Sequence, residues 1–150
     1  MQQILTRIKA VKSNNAVRPK VFVMGISFKP DVDDVRQSPA LFITQQLQAE
    51  SALLELKVYD HNVPVEVMQK CSFDAVSDAW RGITWADVIV VLVKHKEFVL
   101  MQPEVFADKI VIDTCGLFHA MKSSKSNTLL EGAIKSEAPF WKNAAMKDAQ

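Results

Sequence analysis

Hydrophobic positions along this chain change their period several times, and each change marks an element. In residues 1–16, Ile4, Ile8 and Val11 recur at spacings of four and three, with Arg7, Lys9 and Lys12 between them. That period predicts an amphipathic helix. No strand precedes it, so it reads as the end of a longer helix or an entry arm, closed by the polar run Lys12-Ser13-Asn14-Asn15. Val21-Phe22-Val23-Met24 is apolar at every position, as expected of a strand buried on both faces. Ser38 suits a helix N-cap and Pro39 its first turn, with Ala40, Ile43 and Leu47 following on one face.

A second strand is expected over residues 54–59, ending at Asp60, with His61-Asn62-Val63-Pro64 as a turn. Ser77-Asp78 caps a helix that runs through Trp85. Residues 88–93 carry the strongest strand signal, six apolar residues of which four are valine. A helical turn over 103–107 and a final strand over 110–112 follow, the latter ending at Asp113-Thr114-Cys115-Gly116. Past Phe118 the pattern weakens. Residues 122–128 read as a polar loop, and the last twenty or so, with Pro139-Phe140-Trp141, as a docked tail or a disordered end.

Strands separated by helical segments imply parallel β-α-β crossovers. The expected class is α/β: a Rossmann-like, doubly wound parallel sheet in three α/β/α layers. The expected organisation is a helical arm over 1–17, the α/β domain over 18–121 and a tail over 122–150.

Composition narrows the function classes. At 150 residues the chain fits one domain with a substantial core. A net charge of +1 supplies no basic field of the kind that drives nucleic-acid binding. No apolar run approaches the roughly 20 residues of a membrane span, and the N-terminus lacks the apolar core of a signal peptide. Cys71 and Cys115 form no CxxC pair and no metal spacing with His61, His95 or His119. A reduced, cytoplasmic protein is the plain reading, with Cys71 as a packing or surface residue.

The densest chemistry lies in residues 25–39, between the first strand and the Ser38 cap. This turn holds Lys29, Arg36, Asp31, Asp33 and Asp34. In a parallel sheet such loops line the ligand crevice, together with those after Asp60, Lys94 and Asp113. A dinucleotide fingerprint needs GxGxxG, and only Gly25 is present, with Ser27 and Pro30 in the other glycine positions. Asp60 resembles a ribose-binding acid, but without the glycines it reads as a turn residue. The P-loop pattern is absent. Asp31-Val32-Asp33 is a DxD that, with Asp113, offers carboxylates for Mg²⁺ and hence a phosphohydrolase alternative. Acids before a helix also serve simply to favour its positive end. Lys29 as a phosphate point charge and Arg36 as a phosphate fork stand open against a solvated lysine and an arginine paired with Asp33 or Asp34.

The run G-I-S-F-K-P-D-V-D-D-V-R-Q-S-P-A closely resembles the opening of the third domain of the UDP-glucose/GDP-mannose dehydrogenase family, in the form of the branch acting on UDP-N-acetylhexosamines. Val58-Tyr59-Asp60, Ala86-Asp87-Val88-Ile89-Val90-Val91, Lys94-His95-Lys96-Glu97-Phe98 and Ile112-Asp113-Thr114-Cys115-Gly116-Leu117-Phe118 fit later stretches of that domain in order. Residues 1–16 are similar to the end of the helix that enters it.

The resemblance implies a UDP-sugar-binding domain of an NAD-dependent UDP-sugar 6-dehydrogenase that supplies uronates for polysaccharide synthesis. Phe28 and Lys29 would contact the nucleotide-sugar, and Arg36 would lie toward the NAD phosphates. Many relatives carry a basic substrate-binding residue at the position of Cys115, and a cysteine cannot supply that charge. The family's NAD-binding domain and catalytic cysteine precede this domain, so NAD would be held mainly by a domain outside this chain, and the isolated chain would be inactive. The expected partners are the UDP-sugar and the NAD-binding and central domains. A non-catalytic assembly module, using the helix over 1–16 and an apolar crevice, is the remaining alternative.

Overall fold

Four parallel strands carry the structure, a computed structural model that describes residues 1–12 and 17–130. β1 (Lys20–Met24), β2 (Glu55–Tyr59), β3 (Val88–Val91) and β4 (Ile110–Asp113) lie in the order β2-β1-β3-β4. The registers pair Met24 with Tyr59 on one side and with Val91 on the other, and Val91 with Asp113. From β1 the chain crosses to β2 on one flank; from β3 it crosses to β4 on the opposite flank. The carboxyl ends of β1 and β3 therefore form a topological switch point, where open α/β sheets keep their ligand crevice.

The apolar-throughout strands have helices on both faces because their alternate side chains feed two cores. Val21, Val23, Val58, Val88, Val90 and Ile112 join one core with Ile4, Ile8, Leu47 and Met68. These last come from α1 (Gln2–Lys12), α2 (Pro39–Ala49) and α3 (Val65–Lys70). Phe22, Met24, Ile89 and Val91 join the other with Ile83, Phe98, Leu117 and Met121. Those come from α4 (Ala79–Trp85), α5 (Lys96–Val99) and α6 (Leu117–Leu130). Residues 21–24 and 88–91 have no exposed surface. Each such large side chain contributes roughly 1.5–3 kcal/mol relative to exposure. The expected three-layer, doubly wound architecture is what forms.

Local signals act where they were read. Ser38 accepts a hydrogen bond from the Leu41 N–H at 3.1 Å, with Pro39 opening α2. Asp78 accepts from the Arg81 N–H at 2.8 Å at the start of α4. Gly82 lets α4 lie close on the sheet, since a Cβ there would stand 2.2 Å from the Phe22 ring.

Other expectations are corrected. The N-terminal helix packs on the sheet through Ile4 and Ile8, which are buried in the first core, while residues 13–16 lie outside the described ones. The third strand stops at Val91, because the backbone turns at Val93 to pass Gly25. The supposed loop over 122–128 belongs to α6. Its Ser, Asn and Thr residues weaken the helical pattern, but Asp113 anchors the first turn and Leu117 and Met121 are buried. The tail expected beyond residue 130 lies outside the described residues. No described helix is long and apolar enough to cross a membrane.

Candidate functional site: the carboxyl edge of the sheet

The loop after β1 is held from beneath by a buried clamp. Gly25 (φ +89°) donates to the Tyr59 carbonyl at 2.9 Å, and a Cβ on it would stand 2.7 Å from Val93 Cβ. The next two N–H groups, of Ile26 and Ser27, both donate to Asp60 Oδ2, at 2.8 and 3.1 Å. Asp60 Oδ1 accepts from the Asn62 N–H at 2.9 Å, and His95 Nε2 lies 2.9 Å from Asp60 Oδ2. On the other side of the ring, Nδ1 accepts from the Asp31 N–H at 2.9 Å. A backbone N–H can only donate, so Nδ1 bears no proton and the ring is the neutral Nε2–H tautomer. Asp31 Oδ1 in turn accepts from the Lys96 N–H at 2.8 Å, tying the loop to α5. Burial raises the pKa of Asp60, but hydrogen bonds from His95, Ile26 and Asn62 outweigh it and hold the carboxyl below its usual range.

Ser27, His95 and Asp60 have the cast of a nucleophilic triad without its wiring. Ser27 Oγ lies 3.3 Å from the same Nε2 that Asp60 uses, and it donates to the Lys29 carbonyl at 3.0 Å. In a triad the acid orients one ring nitrogen and the hydroxyl meets the other. Here the second nitrogen belongs to Asp31, and all three side chains are sealed from solvent. The constellation is a clamp, not a nucleophile.

What the clamp presents outward is the predicted binding loop. Phe28 is 53% exposed, Lys29 is exposed, and the Phe28 N–H donates to the Asp34 carbonyl at 2.7 Å. Arg36 forks onto Asp34, with Nε to Oδ1 and Nη2 to Oδ2 both at 3.0 Å. These hydrogen bonds hold the Asp34 carboxyl at about 2. The partner of Arg36 is thus Asp34, not Asp33. The fork engages Nε and one N–H of Nη2 and leaves the remaining guanidinium donors pointing outward. Asp31 and Gln37 take left-handed backbone angles (φ 62° and 54°), and Ser38 Oγ closes the loop on the Ile26 carbonyl at 2.7 Å.

Phe28, Lys29 and Arg36 share this loop, whereas Cys115 sits at the end of β4. Its N–H and Sγ both face Asp113 Oδ1, at 3.2 and 3.7 Å. Burial, then the Asp113 charge and hydrogen bond, push the Cys115 thiol up to about 11. It is a neutral thiol at pH 7, with no charge for a substrate and no thiolate for chemistry.

Two of the three carboxylates of the phosphohydrolase alternative, Asp31 and Asp113, are already engaged, and Asp33 lies exposed. Asp113 accepts from the N–H groups of Leu117 (3.0 Å) and Phe118 (3.1 Å), and Asp31 from that of Lys96. Among the described residues no three His, Cys, Asp or Glu side chains converge to hold a metal. A dinucleotide fits no better. Ser38 Oγ takes the Leu41 N–H at the start of α2, and Val93 crowds the space beside Gly25 that a pyrophosphate would need. A cavity of about 420 Å³ opens instead on the flank of β2, lined by Arg18, Glu55, Lys57, Asp74 and Trp85 among others. Its charges are matched as Lys57–Asp74 at 3.6 Å and Arg18–Glu55 at 3.9 Å. The flank therefore asks for no ionic ligand.

Residues 22–120 match the model of the UDP-glucose/GDP-mannose dehydrogenase family, UDP binding domain. The chain belongs to that family. A UDP-N-acetyl-D-mannosamine dehydrogenase of Campylobacter jejuni is 37% identical over 114 residues, covering 74% of this chain and 25% of the relative. One of Yersinia pestis is 33% identical over 109 residues, covering 73% and 26%. The solved UDP-D-ManNAc dehydrogenase of Pyrococcus horikoshii shares the fold with a TM-score of 0.61 at 21% identity, covering 77% of this chain and 26% of that one. The chain spans about a quarter of the length of the curated relatives it matches.

In this member of the family, sequence reasoning missed the clamp. Asp60 was expected as a turn residue and His95 as part of a loop. Apart from Asn62, their partners stand 33 to 68 positions away in the chain, so no local spacing signals them. The one available sign was an aspartate directly after a buried strand end.

Proposed function

We propose that this chain is the UDP-sugar-binding domain of an NAD-dependent UDP-sugar 6-dehydrogenase that converts a UDP-N-acetylhexosamine to its uronate, a polysaccharide precursor, in the cytoplasm. The observation that carries this reading is the clamped loop of a UDP-binding-domain family member, held rigid from below with Phe28 and Lys29 free above. A preorganised loop binds better because little ordering cost remains at the moment of binding. Phe28 offers an aromatic face to the nucleotide-sugar and Lys29 a point charge to its phosphates. Arg36, kept in place by Asp34, is the rim residue assigned to face the NAD phosphates.

The turn after β1 does not fit NAD itself, so the dinucleotide belongs to the NAD-binding domain of the parent enzyme, and that domain and the central one are the partners. The chain alone is expected to reduce no NAD, because hydride transfer needs a nicotinamide positioned by protein, and the protonated Cys115 supplies no thioester nucleophile.

Saturation-transfer NMR with UDP-N-acetyl-D-mannosamine, UDP, GDP and NAD tests the reading. Transfer to the uridine protons, with none to NAD, is expected. Equal transfer to every nucleotide would contradict it.

A further inference from the structure

Most acids of the carboxyl edge are engaged within the fold, and the exception, Asp33, lies exposed in the loop after β1. Asp60 accepts from three backbone N–H groups and His95. Asp113 accepts from the N–H groups of Cys115, Leu117 and Phe118, Asp34 is forked by Arg36, and Glu97 takes the Tyr59 hydroxyl at 2.9 Å. The lysines of the same edge are not neutralised in return. Among the described residues, the side chains of Lys29, Lys94 and Lys96 enter no hydrogen bond or ion pair.

For Lys29 and Lys96, which are exposed, water suffices. Lys94 is half-buried, and a partly desolvated ammonium without a counter-charge is unfavourable. Its neighbours are committed inward, Val93 against Gly25 and His95 beneath the loop. His95, next to Lys94 in the chain, accepts from the Asp31 N–H and meets Ser27 Oγ, so Lys94 and Lys29 belong to adjoining loops of the same edge.

We propose that Lys94 is a diphosphate contact of the nucleotide site, meeting the anion from the β3–β4 side as Lys29 meets it from the β1 loop. The inference rests on the nucleotide-sugar reading above and adds a residue to it. Two unpaired ammoniums on a sheet edge where Asp60, Asp113, Asp34 and Glu97 are already engaged match a ligand with charge on adjacent phosphates, which lysine binds as a point charge. Cys115, neutral and turned to Asp113, leaves that side to Lys94.

The test titrates the chain, ¹⁵N-labelled at lysine, with UDP and with uridine as the neutral probe. It compares the parent with Lys94→Met, Lys94→Arg and, as a control on the exposed end of α3, Lys70→Met. The expected result is a loss of about tenfold in UDP affinity for Lys94→Met, the size of one charge-assisted hydrogen bond. Uridine affinity should be unchanged, Lys94→Arg should stay close to the parent, and the Lys94 amine signal should move with UDP. Equal UDP affinity in the parent and Lys94→Met would overturn the role of Lys94 and leave the nucleotide site standing. So would equal losses for UDP and uridine, which mark a structural effect. Absence of binding by either ligand to the parent at millimolar concentration would overturn the nucleotide reading, and this inference with it.

Discussion

His95 and Asp60 meet at 2.9 Å with neither side chain exposed, and this contact fixes the loop that faces the ligand. Through it the end of β2, the loop after β1 and the start of α5 are joined. Replacing His95 by alanine strands the Asp31 N–H and takes a donor from a buried carboxylate. We expect His95→Ala to lower stability by roughly 3 kcal/mol, the cost of leaving such groups unsatisfied. Urea unfolding measures it, and ¹⁵N chemical shifts of the parent should report an Nε2–H tautomer.

The same clamp sets an acid limit. Asp60 and Asp113 are both held below the usual carboxylate range. Burial opposes this in each, and hydrogen bonds from His95 and Ile26 in one, and from Leu117 and Phe118 in the other, prevail. Each therefore contributes stability that is complete above the unfolded aspartate value of about 3.9 and lost as pH falls through the lower folded value. Unfolding free energy should decline from pH 5 toward pH 2 with net proton uptake. Asp60→Asn should be less stable at pH 7 by about 2 kcal/mol or more, with a shallower acid decline.

Gly25 tests the close approach of the two crossing loops. Alanine there combines φ +89° with a Cβ 2.7 Å from that of Val93 and 3.0 Å from its backbone N and O. The backbone angle alone costs about 1–2 kcal/mol for a residue with a Cβ, and the clash adds to it. Thermal unfolding of Gly25→Ala should show a lower midpoint, and amide exchange should rise first over residues 25–37.

Cys115 should resist alkylation at neutral pH. With its thiol pushed up to about 11, only a minute fraction is thiolate at pH 7. Iodoacetamide labelling followed by peptide mass spectrometry should show Cys115 modification rising steeply only above pH 10. Rapid labelling at pH 7 would contradict the assigned environment.

Much of the fold was legible because it rests on local periodicity. The apolar runs at 21–24 and 88–93 read as strands covered on both faces, the second ending two residues early at Val91, and Ser38 and Asp78 announced their helices. Less was legible where long-range contacts decide the outcome. α6 is anchored by Asp113, a residue of the preceding strand, through a polar stretch that by composition reads as loop. The burial of Ile4 and Ile8 depends on a sheet that begins only at Lys20. At the site, Phe28, Lys29 and Arg36 were visible as exposed chemistry in one loop. Asp60, Ser27 and His95, which shape that loop, come from three separate strand ends and only topology brings them together.

The central claim is that the carboxyl edge between β1 and β3 receives the nucleotide-sugar. Amide chemical-shift mapping of the chain titrated with UDP-N-acetyl-D-mannosamine tests it most directly. The account predicts shifts concentrated in residues 25–37 and 93–97, spreading to 115–118. Shifts confined to the β2 flank around Arg18, Lys57 and Trp85, or none at millimolar ligand, would contradict it.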